Sequence, residues 1–186
     1  MAAPKKQVMH QTEAQEVVMR FQDECADDNR LLLGPNGVYA SITGKSGMVV
    51  VPKKEWTRFY DKTVRGLIKN RKLIVLSGLS ETERALYNAD YKEGEVLDEM
   101  AFAKLLDMGE ELLDIFPKLC REHREMVARR FAQASVEKDP RALNRDLIVK
   151  LNRISKEDYA SLTEKDPRKK GAFYPIIERL NQMDAE

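Results

Sequence analysis

The chain is short of most features that would assign it an activity. It has two cysteines, Cys25 and Cys120, 95 positions apart among 186 residues. So wide a spacing gives no disulfide framework, and with no secretory apolar stretch it predicts a reducing compartment. The longest purely apolar runs are four or five residues, as at Leu73 to Leu76. Spanning a bilayer takes about 20, so no membrane partner is expected. Aromatic residues make up 7% of the chain, and the formal net charge is only +1. The sequence contains no D-x-[DN]-x-[DN]-G calcium loop and no paired cysteine or histidine spacing that would complete a zinc site. Neither a catalytic centre, a cofactor, a metal nor a small-molecule substrate is expected.

What the chain does have is charge sorted into blocks. Residues 45–72 carry nine basic and two acidic side chains, and residues 79–116 carry three basic and eleven acidic ones. A nearly neutral protein with +7 followed by −8 is built to present surfaces of opposite sign. Charged residues amount to 34% against 42% hydrophobic, a balance that suits a globular protein with wet outer faces.

The periodicity predicts an α+β fold: a small antiparallel β-rich module with a packed helix, followed by a C-terminal helical bundle. Residues 1–30 read as a basic arm (Met1 to Lys6) and a helix from Thr12 to about Asp27, because Ala14, Val17, Val18 and Phe21 recur at spacings of three and four. Residues 31–78 read as the β-rich module. Its strands are 31–33, 38–43 and 48–51, with Gly-rich turns at 34–37 and 44–47 that favour antiparallel pairing. One helix then follows Pro52 with Trp56, Phe59, Tyr60, Thr63, Val64 and Leu67 inward, and 73–76 returns as a buried strand. Residues 79–186 read as helical. Ser80 and Glu83 fit a capping box, Pro117 opens the longest helix, and 144–155 and 174–183 make the last two. The pentapeptide Glu-Lys-Asp-Pro-Arg occurs at 137–141 and again at 164–168. Asp before Pro is helix-start chemistry, so local convergence explains the echo without an internal repeat.

Three groups of residues invite a chemical reading. Gly44-Lys45-Ser46 resembles the end of a phosphate-binding loop, but the first glycine of that motif would fall on Tyr39, and a strand follows where a helix is required. A hairpin turn accounts for it. Cys120 and His123 form a C-x-x-H pair, with Cys25 or His10 as distant candidates to complete a metal site. They share a helical stripe with Phe116, Val127 and Phe131, which predicts a core cysteine and a half-buried, hydrogen-bonded histidine. The third group is the basic row Lys54, Arg58, Lys62, Arg65 and Lys69, spaced by four, four, three and four, which would line one side of a single helix. Such a row can be a solvated face, a track for nucleic-acid phosphates, or a docking surface for an acidic protein. The acidic counterpart is the face Asp90, Glu93, Glu95, Asp98 and Glu99, a solvated surface or a docking surface for a basic partner. An acidic block meeting the basic row of a neighbouring copy would make a head-to-tail contact.

The run Met48-Val49-Val50-Val51-Pro52 leading into a helix, followed by Lys72-Leu73-Ile74-Val75-Leu76-Ser77-Gly78-Leu79, resembles small structural proteins of tailed bacteriophage particles. The stretch Glu110-Glu111-Leu112-Leu113-Asp114-Ile115-Phe116, residues 123–131 and the lysine-tipped N-terminus are similar in style. The resemblance spans about residues 38–131 and carries no invariant motif, so it transfers no site residue. It implies a virion component of the head, neck or tail, assembled in the bacterial cytoplasm, that docks on other protein subunits in a homo- or hetero-oligomer. The alternative from a different class is a nucleic-acid-binding accessory or regulatory protein using the same basic row.

Overall fold

In the computed structural model, residues 15–22, 31–33, 40–42 and 47–185 are described. The Met1 to Lys6 arm, His10, Cys25 and the turns at 34–37 and 44–46 lie outside them, as does the side chain of Glu99. The fold is α+β: antiparallel strands and a packed helical segment precede a helical bundle.

Residues 16–21, within the segment expected as the first helix, are instead the central strand of the three-stranded sheet. β1 (Glu16–Phe21) lies between β4 (Met48–Pro52) and β5 (Leu73–Ser77), antiparallel to both. Val17, Met19 and Phe21 are buried, while Glu16, Val18 and Arg20 turn the other way. That is the period of two of a strand, and the β-branched pair Val17-Val18 favours it. Val17 pairs with Val51, Met19 with both Val49 and Val75, and Phe21 with Leu73, so the inward residues of all three strands form one apolar face. Gly78 lets the end of β5 cross the start of β1. Its φ is +96°, and a Cβ there would lie 2.1 Å from the carbonyl oxygen of Glu16. Among the described residues, β2 (Leu31–Leu33) and β3 (Ala40–Ile42) pair with each other and with no strand of the three-stranded sheet, so the three consecutive strands expected as one module belong to two ladders. Leu76, expected to be buried, faces outward with Met48 and Val50.

The helix expected after Pro52 is broken. A 3-10 turn (Lys53–Glu55) leads into α1 (Trp56–Phe59), Tyr60 leaves the helical region at φ −73°, ψ 60°, and α2 (Lys62–Lys69) starts afresh. Asp61 causes the restart, because its carboxylate accepts the Val64 N–H at 2.9 Å as an N-cap. Trp56, Phe59, Val64 and Ile68 cover the sheet; Ile68 takes the place expected of Leu67, and Thr63 is exposed. α2 ends with Arg71 at φ 54°, its N–H returning to Ile68 and that of Lys72 to Leu67, a Schellman-type closure. The capping box at Ser80 forms and opens α3 (Glu81–Leu86), and Tyr87, Ala89 and Tyr91 then pack on the sheet core. The edge of β5 is closed by side chains: the Val75 N–H donates to the Tyr91 hydroxyl at 2.9 Å, and Arg84 donates to the Val75 carbonyl at 3.3 Å.

A second core begins at Leu97. It comprises α4 (Glu99–Ala103), α5 (Leu112–Ile115), α6 (Arg121–Val136), α7 (Arg145–Ser155), α8 (Tyr174–Met183) and the 3-10 turns between them. Phe116, Phe131 and Phe173 meet edge-to-face at its centre, with centroids 5.6 and 5.9 Å apart. Pro117 sits in a 3-10 turn (Phe116–Lys118) and does not open α6. Leu119 is extended between them, and α6 begins only after Cys120. Both Asp-Pro-Arg echoes form 3-10 turns, Pro140–Ala142 and Pro167–Lys170. In each, the aspartate caps the arginine N–H and grips the same guanidinium. The shared geometry is local chemistry repeated.

Candidate functional site

The histidine of the C-x-x-H pair proves to be a structural joint. Its neighbour Cys120 precedes α6 as the N-cap residue and is half-buried, and burial pushes its thiol up to about 11. His123 is fully buried, deeper than expected. The Leu97 N–H donates to its Nδ1 at 2.9 Å, so the proton must sit on Nε2, which donates to the Arg71 carbonyl at 3.0 Å. One imidazole thus ties α6 to the start of the helical core and to the end of α2. Burial lowers its pKa to about 4, outweighing the favourable carbonyl contact. Around it, the Gln22 amide donates to the Leu97 carbonyl, the Cys120 N–H reaches the Glu95 carbonyl at 2.9 Å, and Arg71 pairs with Glu95 at 3.1 Å. Both ring nitrogens are already used. Among the described residues, no group of three or more His, Cys, Asp or Glu side chains is placed to hold a metal ion.

The basic row survives as exposed residues but not as a single helical row. Lys54 and Arg58 lie before the break at Tyr60, and Lys62, Arg65 and Lys69 lie after it on α2. All five are exposed. On α2 the three cations occupy positions i, i+3 and i+7, opposite the buried Val64 and Ile68, so they share one outer face. Arg65 lies 5.4 Å over the Tyr60 ring, a cation–π contact that holds it across the break. The other four make no ion pair within the described residues. Two further cations of the block are consumed internally. Lys53 bonds the Gly78 carbonyl and Glu83, at 2.8 and 2.6 Å, and Arg71 holds Glu95.

Five carboxylates of the acidic block hold the chain together. The Asp98 carboxylate caps α4 by accepting the Ala101 N–H at 2.8 Å. Glu95 accepts the Lys92 N–H and pairs with Arg71; burial works against its ionisation, but those two donors prevail and its pKa is lowered. Glu83 is held at about 2, first by Lys53 and then by the Ser80 cap. Asp107 and Glu110 pair with Arg141 and Lys150. Of the predicted face, Asp90 and Glu93 are exposed with no ion pair among the described residues.

No family model matches the chain, and no curated protein or solved structure is significantly similar to it. The site therefore rests on its own geometry. No helix among the described residues is long and apolar enough to cross a membrane.

Sequence reasoning missed a concave feature of the bundle. A cleft of about 550 Å³ opens between α6 and α8, floored by Ala128 and Ala132 and walled by Tyr159 and Tyr174. A smaller one of about 260 Å³ follows along the same two helices at Val136 and Met183. The only sequence signal was the spacing of Ala128, Ala132 and Val136 by four along one helix.

Proposed function

We propose that the chain is a non-enzymatic assembly protein that docks on a neighbouring protein subunit through its basic face. The observation that carries this reading is how the unpaired charges of the two blocks are distributed. Lys54, Arg58, Lys62 and Lys69 project into solvent from the one segment of residues 53–69 without a carboxylate partner among the described residues, whereas the exposed, unpaired carboxylates of the acidic block, Glu81, Asp90, Glu93, Glu111 and Asp114, are spread over several short elements, where a second copy can offer them. Cations left uncompensated on a rigid helical surface steer and orient an acidic partner. The resemblance of its sequence to structural proteins of tailed bacteriophages is what supports a virion as the setting of this proposal, with assembly in the bacterial cytoplasm.

A protein partner suits this face better than a nucleic acid. Two half-buried carboxylates, Glu55 and Asp61, sit among the cations, and the row is interrupted at Tyr60. A phosphate-tracking surface favours an unbroken line of positive charge, whereas a protein interface accommodates mixed signs. The test is light scattering across a salt series. Assembly at about 50 mM salt that dissociates as the Debye length shrinks from roughly 14 to 4 Å supports the proposal. A monomer at low salt that retains DNA in a shift assay, and loses it when Arg58, Lys62 and Arg65 are changed to Glu, transfers the face to nucleic acid and overturns it.

A further inference from the structure

We infer that the seam between α6 and α8 is a second docking groove, shaped for an acidic amphipathic helix of a partner protein. The two clefts lie in line. The larger one is lined by residues 125–132 of α6 and 174–178 of α8, and the smaller by residues 135–138 and 179–183, so α6 and α8 run side by side in the same direction. From Ala128 to Val136 the groove advances about 12 Å, room for about two turns of a docked helix. Ala128 and Ala132 leave a low surface over which a helix can approach closely, and Tyr174 and Pro175 at the start of α8 line the same cleft. At the other end Val136 and Met183 stand 63% and 44% exposed. Single exposed apolar residues are ordinary, but two large ones lining one cleft beside a small-residue floor form the apolar seam that helix-in-groove recognition uses.

The charge around the seam sets the partner's chemistry. Lys138, Lys170 and Arg179 line the clefts, and none has a carboxylate partner among the described residues. Lys170 instead lies 4.5 Å over the Tyr174 ring, and Arg179 donates to the Ser135 hydroxyl. Of the two lining carboxylates, Glu125 is held by Arg121 and the Tyr159 hydroxyl, leaving only Glu178. A guest with carboxylates flanking its apolar stripe therefore gains ion pairs with Lys138, Lys170 and Arg179. A second copy of the chain is a poorer guest. Its acidic helices with an exposed apolar residue, α3 with Leu86 and α4 with Met100, have six and five residues, shorter than the groove.

The test is to pan a yeast-displayed library of randomised, helix-favouring 14-residue peptides against the intact chain. The expected winners are net acidic, carry apolar residues at i, i+3 or i+4, and i+7, and lose at least tenfold in affinity against both Lys138→Glu/Lys170→Glu and Ala132→Trp. Reversing Arg58 and Lys62 leaves their affinity unchanged, which separates this groove from the basic face. Lys138 and Lys170 are exposed, so the charge-reversed pair keeps the test valid even if the tryptophan disturbs folding. No enrichment overturns the inference, as do basic winners, winners without helical spacing, or affinity unchanged in the charge-reversed pair.

Discussion

Lowering the pH from 7 to 5 should destabilise the chain by about 2 kcal/mol through His123 alone. The group titrates near 6.5 when unfolded and near 4 when folded, because the folded ring is buried with its Nδ1 facing the Leu97 N–H. A depressed folded pKa fixes the sign. Above 6.5 the ring is neutral in both states and the native contacts are intact. As the pH falls below 6.5 only the unfolded chain takes up the proton, and stability is lost at up to about 1.4 kcal/mol per pH unit until the folded ring also titrates near 4. Over the whole interval the loss sums to about 3 kcal/mol. The window from pH 7 to 5 isolates the histidine, since Glu83 and Asp139 are held at about 2 and ordinary carboxylates titrate mainly below it. The control is His123→Gln, whose amide can accept from Leu97 and donate to Arg71 but does not titrate. Urea unfolding followed by circular dichroism and by the fluorescence of the single tryptophan, Trp56 in the sheet core, gives the two stabilities. Wild type should lose about 2 kcal/mol more than the variant between pH 7 and 5. Equal losses in the two proteins would refute the assignment of His123 as a buried neutral joint.

Two glycines should respond oppositely to alanine, read by thermal melting. Gly66 in α2 leaves open space where an alanine methyl would sit, with nothing within 4 Å, so Gly66→Ala should add about 0.5–1 kcal/mol, whereas Gly78→Ala should cost about 2 kcal/mol or more because of its positive φ and its contact with Glu16. Ser80→Ala removes the capping box of α3 and should cost about 1 kcal/mol, a fall of roughly 2–4 °C in Tm for a chain of this length. An unchanged Tm would show that α3 does not depend on its cap.

Elements governed by neighbouring residues are legible in the sequence. The Ser80 box, α7 after its Asn144 cap, α8 over 174–183 and the return strand β5 all stand where local chemistry puts them. β1 reads as a helix because Val17, Val18 and Phe21 satisfy a helical spacing while Val17, Met19 and Phe21 satisfy a strand. What decides between the two is pairing with β4 and β5, which come much later in the chain. The break in the basic helix does have a local signal: Asp61, three residues before Val64, is a capping residue in the middle of an apparently continuous pattern. His123 can be placed inward from its helical stripe, but its depth cannot, since its two partners lie 26 and 52 residues away. Which cations stay free is also a tertiary outcome. Lys53 and Arg71 look no different in sequence from Lys54 and Lys69, yet only the first two meet a carboxylate. The α6–α8 groove depends on how two distant helices settle against each other, and the spacing of Ala128, Ala132 and Val136 marks only the α6 side of it.

Whether the basic face holds a protein neighbour is read by sedimentation of the triple variant Arg58→Glu, Lys62→Glu, Lys69→Glu beside wild type at about 50 mM salt, where exposed charges interact over roughly 14 Å. These side chains are exposed, so the variant should fold as wild type does. Wild type should sediment as an assembly and the variant as a monomer. A variant that assembles to the same size as wild type would contradict the proposal.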